Sequence, residues 1–171
     1  MNTAKYSNSL VRVEAFTALL GIRLPIMLAP MAGACPPSLS IAVANAGGLG
    51  ACGALLMNPD AIQNWTDEFR QQSEGEFQLN LWIPGPAPAR DLESEKRQRE
   101  FLEKWGPPVP SNAGDAVLPD FDAQCQAMIA AAPKVISSIM GLYAPSFVAE
   151  LTARGILWFA TVQTVAEARA A

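Results

Sequence analysis

The side chains that most often carry chemistry are scarce in this sequence. None of its 171 residues is histidine. That removes the commonest general base, the commonest metal ligand and every histidine-based nucleophile triad. The three cysteines, Cys35, Cys52 and Cys125, are odd in number, widely spaced and without a C-x-x-C pair. Such usage suits a reducing, cytoplasmic setting better than a disulfide framework. Core packing is the expectation for each, and Cys35 stands apart because it falls in a loop leaving a strand. Two other features could meet a ligand. Gly48-Leu-Gly50-Ala-Cys-Gly53 matches G-x-G-x-x-G letter for letter, but a dinucleotide fingerprint needs a strand before it and a helix opening on it. Here a helix precedes the motif and the motif runs into a strand, so its glycines read as packing residues. Asn80 interrupts the apolar run FQLNLW. A buried amide needs partners, so Asn80 is either a satisfied core amide or a ligand contact near a strand's carboxyl end, and the residues alone leave both readings open.

The elements that position these residues alternate. The stretch LPIMLAPMAGACPPSLSIAVANAGGLGACG predicts a buried strand over 25–31, a Gly/Pro turn, a small-residue helix, a glycine cluster and a strand over 49–55. This is a βαβ unit, which implies parallel strands and a right-handed crossover. Pro36 and Pro37 suit the first helical turn, Leu39, Ala42, Val43 and Ala46 form the expected inner face, and Gly47 is the C-terminal cap. Upstream, Leu10, Val13, Phe16, Leu19 and Leu20 recur at helical spacing over 9–20, a helix expected to cover one end of the sheet. Downstream, Asn58 and Pro59 open a helix over 59–72 with Ile62, Trp65 and Phe69 on one face. A strand over 77–82, a helix over 119–132, a strand over 135–140, a helix over 145–154 and a strand over 156–162 follow. A last helix starts at Gln163 or Thr164. Between 84 and 118 the rhythm breaks: PGPAP and GPPVPSNAG flank a charged helix over 91–105, with only Leu92, Phe101, Leu102 and Trp105 as an apolar edge. It reads as a solvated helix on a long loop, or as a lid over the strand ends.

Five strands that are apolar almost throughout, alternating with helices, define an α/β chain with a parallel sheet covered by helices. An open doubly wound sheet and part of a (β/α)8 barrel of the TIM type both fit. Stopping after five strands favours the barrel, since a complete one takes about 250 residues. The chain is then a single partial barrel domain over 1–171, carrying about the first five β/α units and a proline-rich insertion at 84–118. Two unpaired edges make it a fragment of a longer polypeptide, or one completed by a partner such as a second copy or a missing C-terminal half. A net charge of −4 with a pI near 4.8 argues against nucleic acid and against an anionic membrane. No apolar run approaches the roughly 18 to 20 residues of a membrane span, and the first residues lack the apolar core of a secretory signal.

LLGIRLPIMLAPMAG, AVANAGGLGACG, FQLNLWIPGPAPARD and ILWFATVQTVAEARAA together resemble the first half of the nitronate monooxygenases, formerly 2-nitropropane dioxygenases, in order and with matching spacing. The resemblance implies an FMN-dependent (β/α)8 barrel that oxidises alkyl nitronates with O2 to a carbonyl compound and nitrite. It places Ala29, Pro30, Met31 and Ala32 at the strand end whose backbone meets the flavin ring, and makes Asn80 an FMN contact. It also puts Thr161 at a position facing the cofactor, where some relatives carry lysine. The family's glycine-rich phosphate loops and its histidine beside the flavin lie beyond the matched part, so the resemblance supplies no catalytic base and no metal ligand here. Two alternatives are an inactive truncated half-barrel and a flavin-dependent enoyl reductase of the same superfamily.

Overall fold

In the computed structural model, which describes residues 3–86, 89–115 and 117–171, helices and parallel strands alternate along the chain. Helix α1 is Thr3–Leu20, α2 Pro37–Asn45, β1 Gly50–Gly53, α3 Pro59–Gln72, β2 Phe77–Trp82 and α4 Leu92–Leu102. Then come α5 Phe121–Ala131, β3 Val135–Ile139, α6 Pro145–Ala153, β4 Leu157–Ala160 and α7 Val165–Ala170. The helices start where local chemistry satisfies their free N–H groups. The Asn58 side-chain oxygen accepts from the Ala61 N–H at 2.8 Å, and Asp120 accepts from the Ala123 N–H at 2.7 Å. Thr164 and Glu167 cap α7 reciprocally. Helices α2 and α6 begin instead with proline at the first position, where a missing N–H costs nothing.

Two compact units result: one runs to Pro84 and resumes at Pro119, the other is Gly85–Leu118. The first holds the sheet, ordered β1-β2-β3-β4 with every pair parallel. Its register sets Gly53 beside Asn80, Asn80 beside Ser137 and Ser137 beside Phe159. Alternate residues serve opposite faces. Leu79, Leu81 and Ile136 pack with Ile62, Trp65 and Phe69 of α3 and Met128 and Ile129 of α5. The Phe69 ring lies 5.4 Å from that of Trp65 and 4.8 Å from that of Phe77. Toward the amino ends of the strands, Leu49 and Val135 cluster with Leu20 and Ile22, and Phe16, Met27, Leu157 and Phe159 add partial burial. The last turn of α1 thus closes that end. Four parallel strands in sequence order, each followed by a helix, make this unit a partial (β/α)8 barrel.

Three expectations need correction. The strand over 25–31 reduces to a single bridge, Met27 with Leu49. Around it the Leu49 N–H bonds the Ile26 carbonyl and the Leu28 N–H bonds the Leu49 carbonyl, each at 2.9 Å. Pro25 and Pro30 flank the bridge without N–H groups, so the ladder cannot lengthen, and Ile26 is exposed rather than buried. The sheet therefore has four strands and a bridged segment instead of five strands. Second, α2 buries Ser40, Ile41 and Ala44, while Leu39, Ala42 and Ala46 are exposed. Its near-uniform apolarity gives spacing no face to select. Third, Leu10, Val13 and Leu19 of α1 are exposed, and Leu20 alone of the expected face is fully buried.

Within Gly85–Leu118, α4 is shorter than the expected 91–105. Asp91 accepts from the Glu93 and Ser94 N–H groups and from the Ser94 hydroxyl, bonds that hold its carboxyl below the usual range. The Arg90 guanidinium pairs with Glu95, Nη2 to Oε2 at 2.6 Å, and with Asp115 at 2.7 Å. Leu92, Phe101, Leu102 and Trp105 are all exposed. Met1 and Asn2, and Ala87, Pro88 and Ala116 of the expected insertion, lie outside the described residues. Among the described residues no helix is long and apolar enough to cross a membrane, and no cluster of three or more His, Cys, Asp or Glu could hold a metal ion.

Candidate functional site

Parallel strands bring all their carboxyl ends to one edge, and in α/β barrels that edge is where ligands bind. Here β1 ends at Gly53, which is buried against the segment that crosses it. A Cβ at Gly53 would stand 2.6 Å from the Ala32 nitrogen and 2.9 Å from the Ala32 Cα. Only glycine lets the two backbones come so close. The other motif glycines also serve packing. A Cβ at Gly48 would meet the Ile26 carbonyl oxygen at 2.9 Å, and one at Gly50 would meet the Phe69 ring at 3.0 Å. No helix opens on the motif; the next one starts at Pro59. The reading of these glycines as packing residues holds.

The segment that Gly53 admits is a row of free donors. The N–H groups of Ala29, Met31, Ala32 and Gly33 reach no acceptor among the described residues. Ala29, Met31 and Ala32 are exposed and Pro30 is half-buried. Unpaired main-chain donors gathered at one loop are the ordinary means of holding carbonyl or anionic groups of a ligand.

Asn80 lies next to this row, paired in register with Gly53. It is buried, and its Nδ2 donates to Ser137 Oγ at 3.0 Å. Ser137 Oγ donates to Gln78 Oε1 at 3.2 Å, and Gln78 Nε2 donates to the Leu28 carbonyl at 3.0 Å. One N–H of the amide is thus paired with Ser137, while Oδ1 has no partner among the described residues. Thr161 is exposed and its N–H donates to the Ser138 carbonyl at 2.8 Å, extending the ladder past β4. Register places it on the same edge, two strands from Asn80. The structure therefore brings Ala32, Gly53 and Asn80 together and leaves Thr161 apart from them.

Gln78 and Ser137 were not singled out by sequence. Both interrupt apolar runs, and Gln78 sits two positions before Asn80 on the same strand face, a signal that period-2 reasoning could have used. The end of β3 carries a further feature invisible to spacing: Met140 has φ of +66°. A non-glycine residue held in the left-handed region is a local strain of the kind that gathers at functional edges.

The cysteines are structural. Cys35 Sγ and Ser40 Oγ both donate to the Ala51 carbonyl, at 2.9 and 2.6 Å, tying loop and helix to β1. All three cysteines are free and buried. Burial, with Cys35 close by, pushes the Cys52 thiol up to about 12; burial, with Asp122 close by, does the same for Cys125. The folded chain holds these protons while the unfolded chain releases them from about pH 9, so their contribution makes stability fall as pH rises from 9 toward 12. The denaturation midpoint of the natural chain should drop more steeply over that window than that of a Cys52→Ala, Cys125→Ala double variant. Parallel curves would refute the assignment.

Comparison with known proteins finds a family that covers most of the chain. The nitronate monooxygenase family model matches residues 13–171. A nitronate monooxygenase from Paraburkholderia phytofirmans is 35% identical over 162 residues, covering 91% of this chain and 44% of its own length. Probable nitronate monooxygenases of Staphylococcus aureus are 38% identical over 68 residues, which is 40% of this chain and 19% of theirs. Among solved structures, a nitroalkane oxidase from Streptomyces ansochromogenes superposes with a TM-score of 0.73 at 27% identity, over 91% of this chain and 44% of that one. FabK from Thermotoga maritima superposes with a TM-score of 0.64 at 25% identity, over 91% and 39%. The chain thus spans under half the length of the Paraburkholderia relative that it matches over 91% of its own length.

Proposed function

The chain belongs to the nitronate monooxygenase family, and from that premise we propose that the carboxyl-end edge of its strands holds the ring of FMN in an oxidoreductase acting on alkyl nitronates. The observation that carries this reading is the row of unpaired N–H groups at Ala29, Met31, Ala32 and Gly33 beside Asn80. An isoalloxazine ring is flat and carries most of its acceptors along one polar edge. The donor row suits such an edge, and the small side chains of Ala29 and Ala32 leave room for a plane to approach. Asn80 adds a side-chain contact, and Thr161 borders the same edge two strands away. FMN supplies the electron transfer between nitronate and O2 when bound; this part of the protein binds the ring and orients it.

In this reading the whole protein converts an alkyl nitronate and O2 to a carbonyl compound and nitrite. With no histidine in these residues, none of them offers an imidazole base for a neutral nitroalkane. The test is oxygen uptake by the whole protein with propane-2-nitronate, with nitrite measured alongside. Uptake with nitrite release is expected. A flavin-loaded protein that ignores alkyl nitronates yet oxidises NAD(P)H with an enoyl thioester would overturn this reading in favour of the enoyl reductase.

A further inference from the structure

The hydrogen-bond relay behind Asn80 has a direction, and that direction is forced from its far end. The Leu28 carbonyl can only accept, so the group that Gln78 turns to it, 3.0 Å away, must be the amide nitrogen. Gln78 Oε1 then faces Ser137 at 3.2 Å, and an amide oxygen can only accept, so the single hydroxyl proton of Ser137 is committed to Gln78. The Ser137 oxygen is left as an acceptor, and the group 3.0 Å from it must be the NH2 of Asn80. Turning the Asn80 amide over would set its oxygen against an oxygen whose proton is already used. All three side chains are buried, Gln78 at 4% exposure and Asn80 and Ser137 at 6% each, so water is a poor substitute for the missing donor. Asn80 Oδ1, on the side of the amide away from Ser137, has no partner and is not sealed off among the described residues.

We propose that Gln78 and Ser137 are positioning residues that fix the polarity of Asn80, so that Asn80 presents a carbonyl oxygen to the ligand and selects an N–H donor. This rests on the flavin reading above for the identity of the ligand. The oxidised isoalloxazine ring has one N–H, at N3, and acceptors elsewhere along its polar edge. The donor row over 29–33 serves the acceptors, and Asn80 Oδ1 serves the single N–H. The two halves of the site are joined physically, because the relay ends on the Leu28 carbonyl, directly before Ala29.

Two measurements on the whole protein test this. With Asn and Ser isotope-labelled, the Asn80 side-chain NH2 protons should show a nuclear Overhauser contact to the Ser137 β protons, with or without flavin. Its absence would overturn the proposal whatever binds. Separately, apoprotein should bind FMN at least about tenfold more tightly than N3-methyl-FMN, the loss expected when a buried acceptor is left without its donor. The preference should collapse in Asn80→Ala, which removes the acceptor, and in Ser137→Ala, which frees the amide to turn. It should return in Ser137→Thr, which keeps the hydroxyl. A preference that survives Asn80→Ala is steric and refutes the ligand half of the proposal, as does equal binding of the two flavins to the natural protein. The Overhauser contact present with neither flavin bound would instead refute the FMN reading and leave the relay standing. Should Ser137→Ala not fold, Asn80→Ala and the Overhauser contact decide the matter.

Discussion

Gly53→Ala should damage stability and flavin binding together. The added Cβ would sit 2.6 Å from the Ala32 nitrogen, 2.9 Å from its Cα and 3.1 Å from the Met31 carbonyl carbon. All three are main-chain atoms, so no rotamer change relieves the clash. Either β1 moves, breaking the register that pairs Gly53 with Asn80, or the 29–33 segment lifts away. Overpacking of this kind costs about 1–3 kcal/mol. Displacing a ligand-holding segment by an ångström lowers turnover by roughly a hundredfold. Chemical denaturation and oxygen uptake read the two effects. Gly85→Ala is the control, since its Cβ would meet nothing within 4 Å; a surface change of that sort stays within about 0.5 kcal/mol. Equal behaviour of the two variants would mean that the close approach of Gly53 and Ala32 does not shape the site.

Phe69→Ala should be the more destabilising change. Phe69 is fully buried, stacked on Trp65 and tilted against Phe77, and its ring edge lies 3.0 Å from where a Cβ on Gly50 would be. Removing it deletes the centre of the helix-side core and leaves a cavity, which costs about 3–5 kcal/mol. That is about a fifth or more of the total stability of a typical domain. Trp105→Ala, on a side chain 79% exposed, should cost far less despite removing a larger ring. The denaturation midpoints of the two variants measure the difference. A Phe69→Ala loss below about 1 kcal/mol would contradict the packing described for α3 against the sheet.

Much of this was legible in the residues, and what was not has physical causes. The helix over 59–72 was predicted with the bounds it has, because Asn58 and Pro59 fix its start and Ile62, Trp65 and Phe69 define one face. The strand over 77–82 was equally clear between Gly75 and Pro84. The strand over 25–31 was overread: apolar composition could not reveal that Pro25 and Pro30 confine pairing to Met27 and Leu49. The inner face of α2 was misassigned because a helix of small apolar residues offers spacing no contrast, so tertiary contacts decided it. At the site, Asn80 was visible as a polar break in an apolar strand, but its partners were not. Ser137 is 57 positions away in sequence, and only the β2–β3 register brings the two together. The glycines of the G-x-G-x-x-G motif were read as packing residues, but the motif could not show that Gly53 admits the Ala32 backbone.

The central claim is that the edge formed by 29–33, Gly53 and Asn80 holds a flavin ring, and the visible absorption spectrum of the purified whole protein tests it most directly. One flavin per chain is expected for the natural sequence, with markedly less retained by Asn80→Ala and least by Gly53→Ala. A colourless natural protein that takes up no FMN on titration, or flavin retained equally by all three, would contradict it.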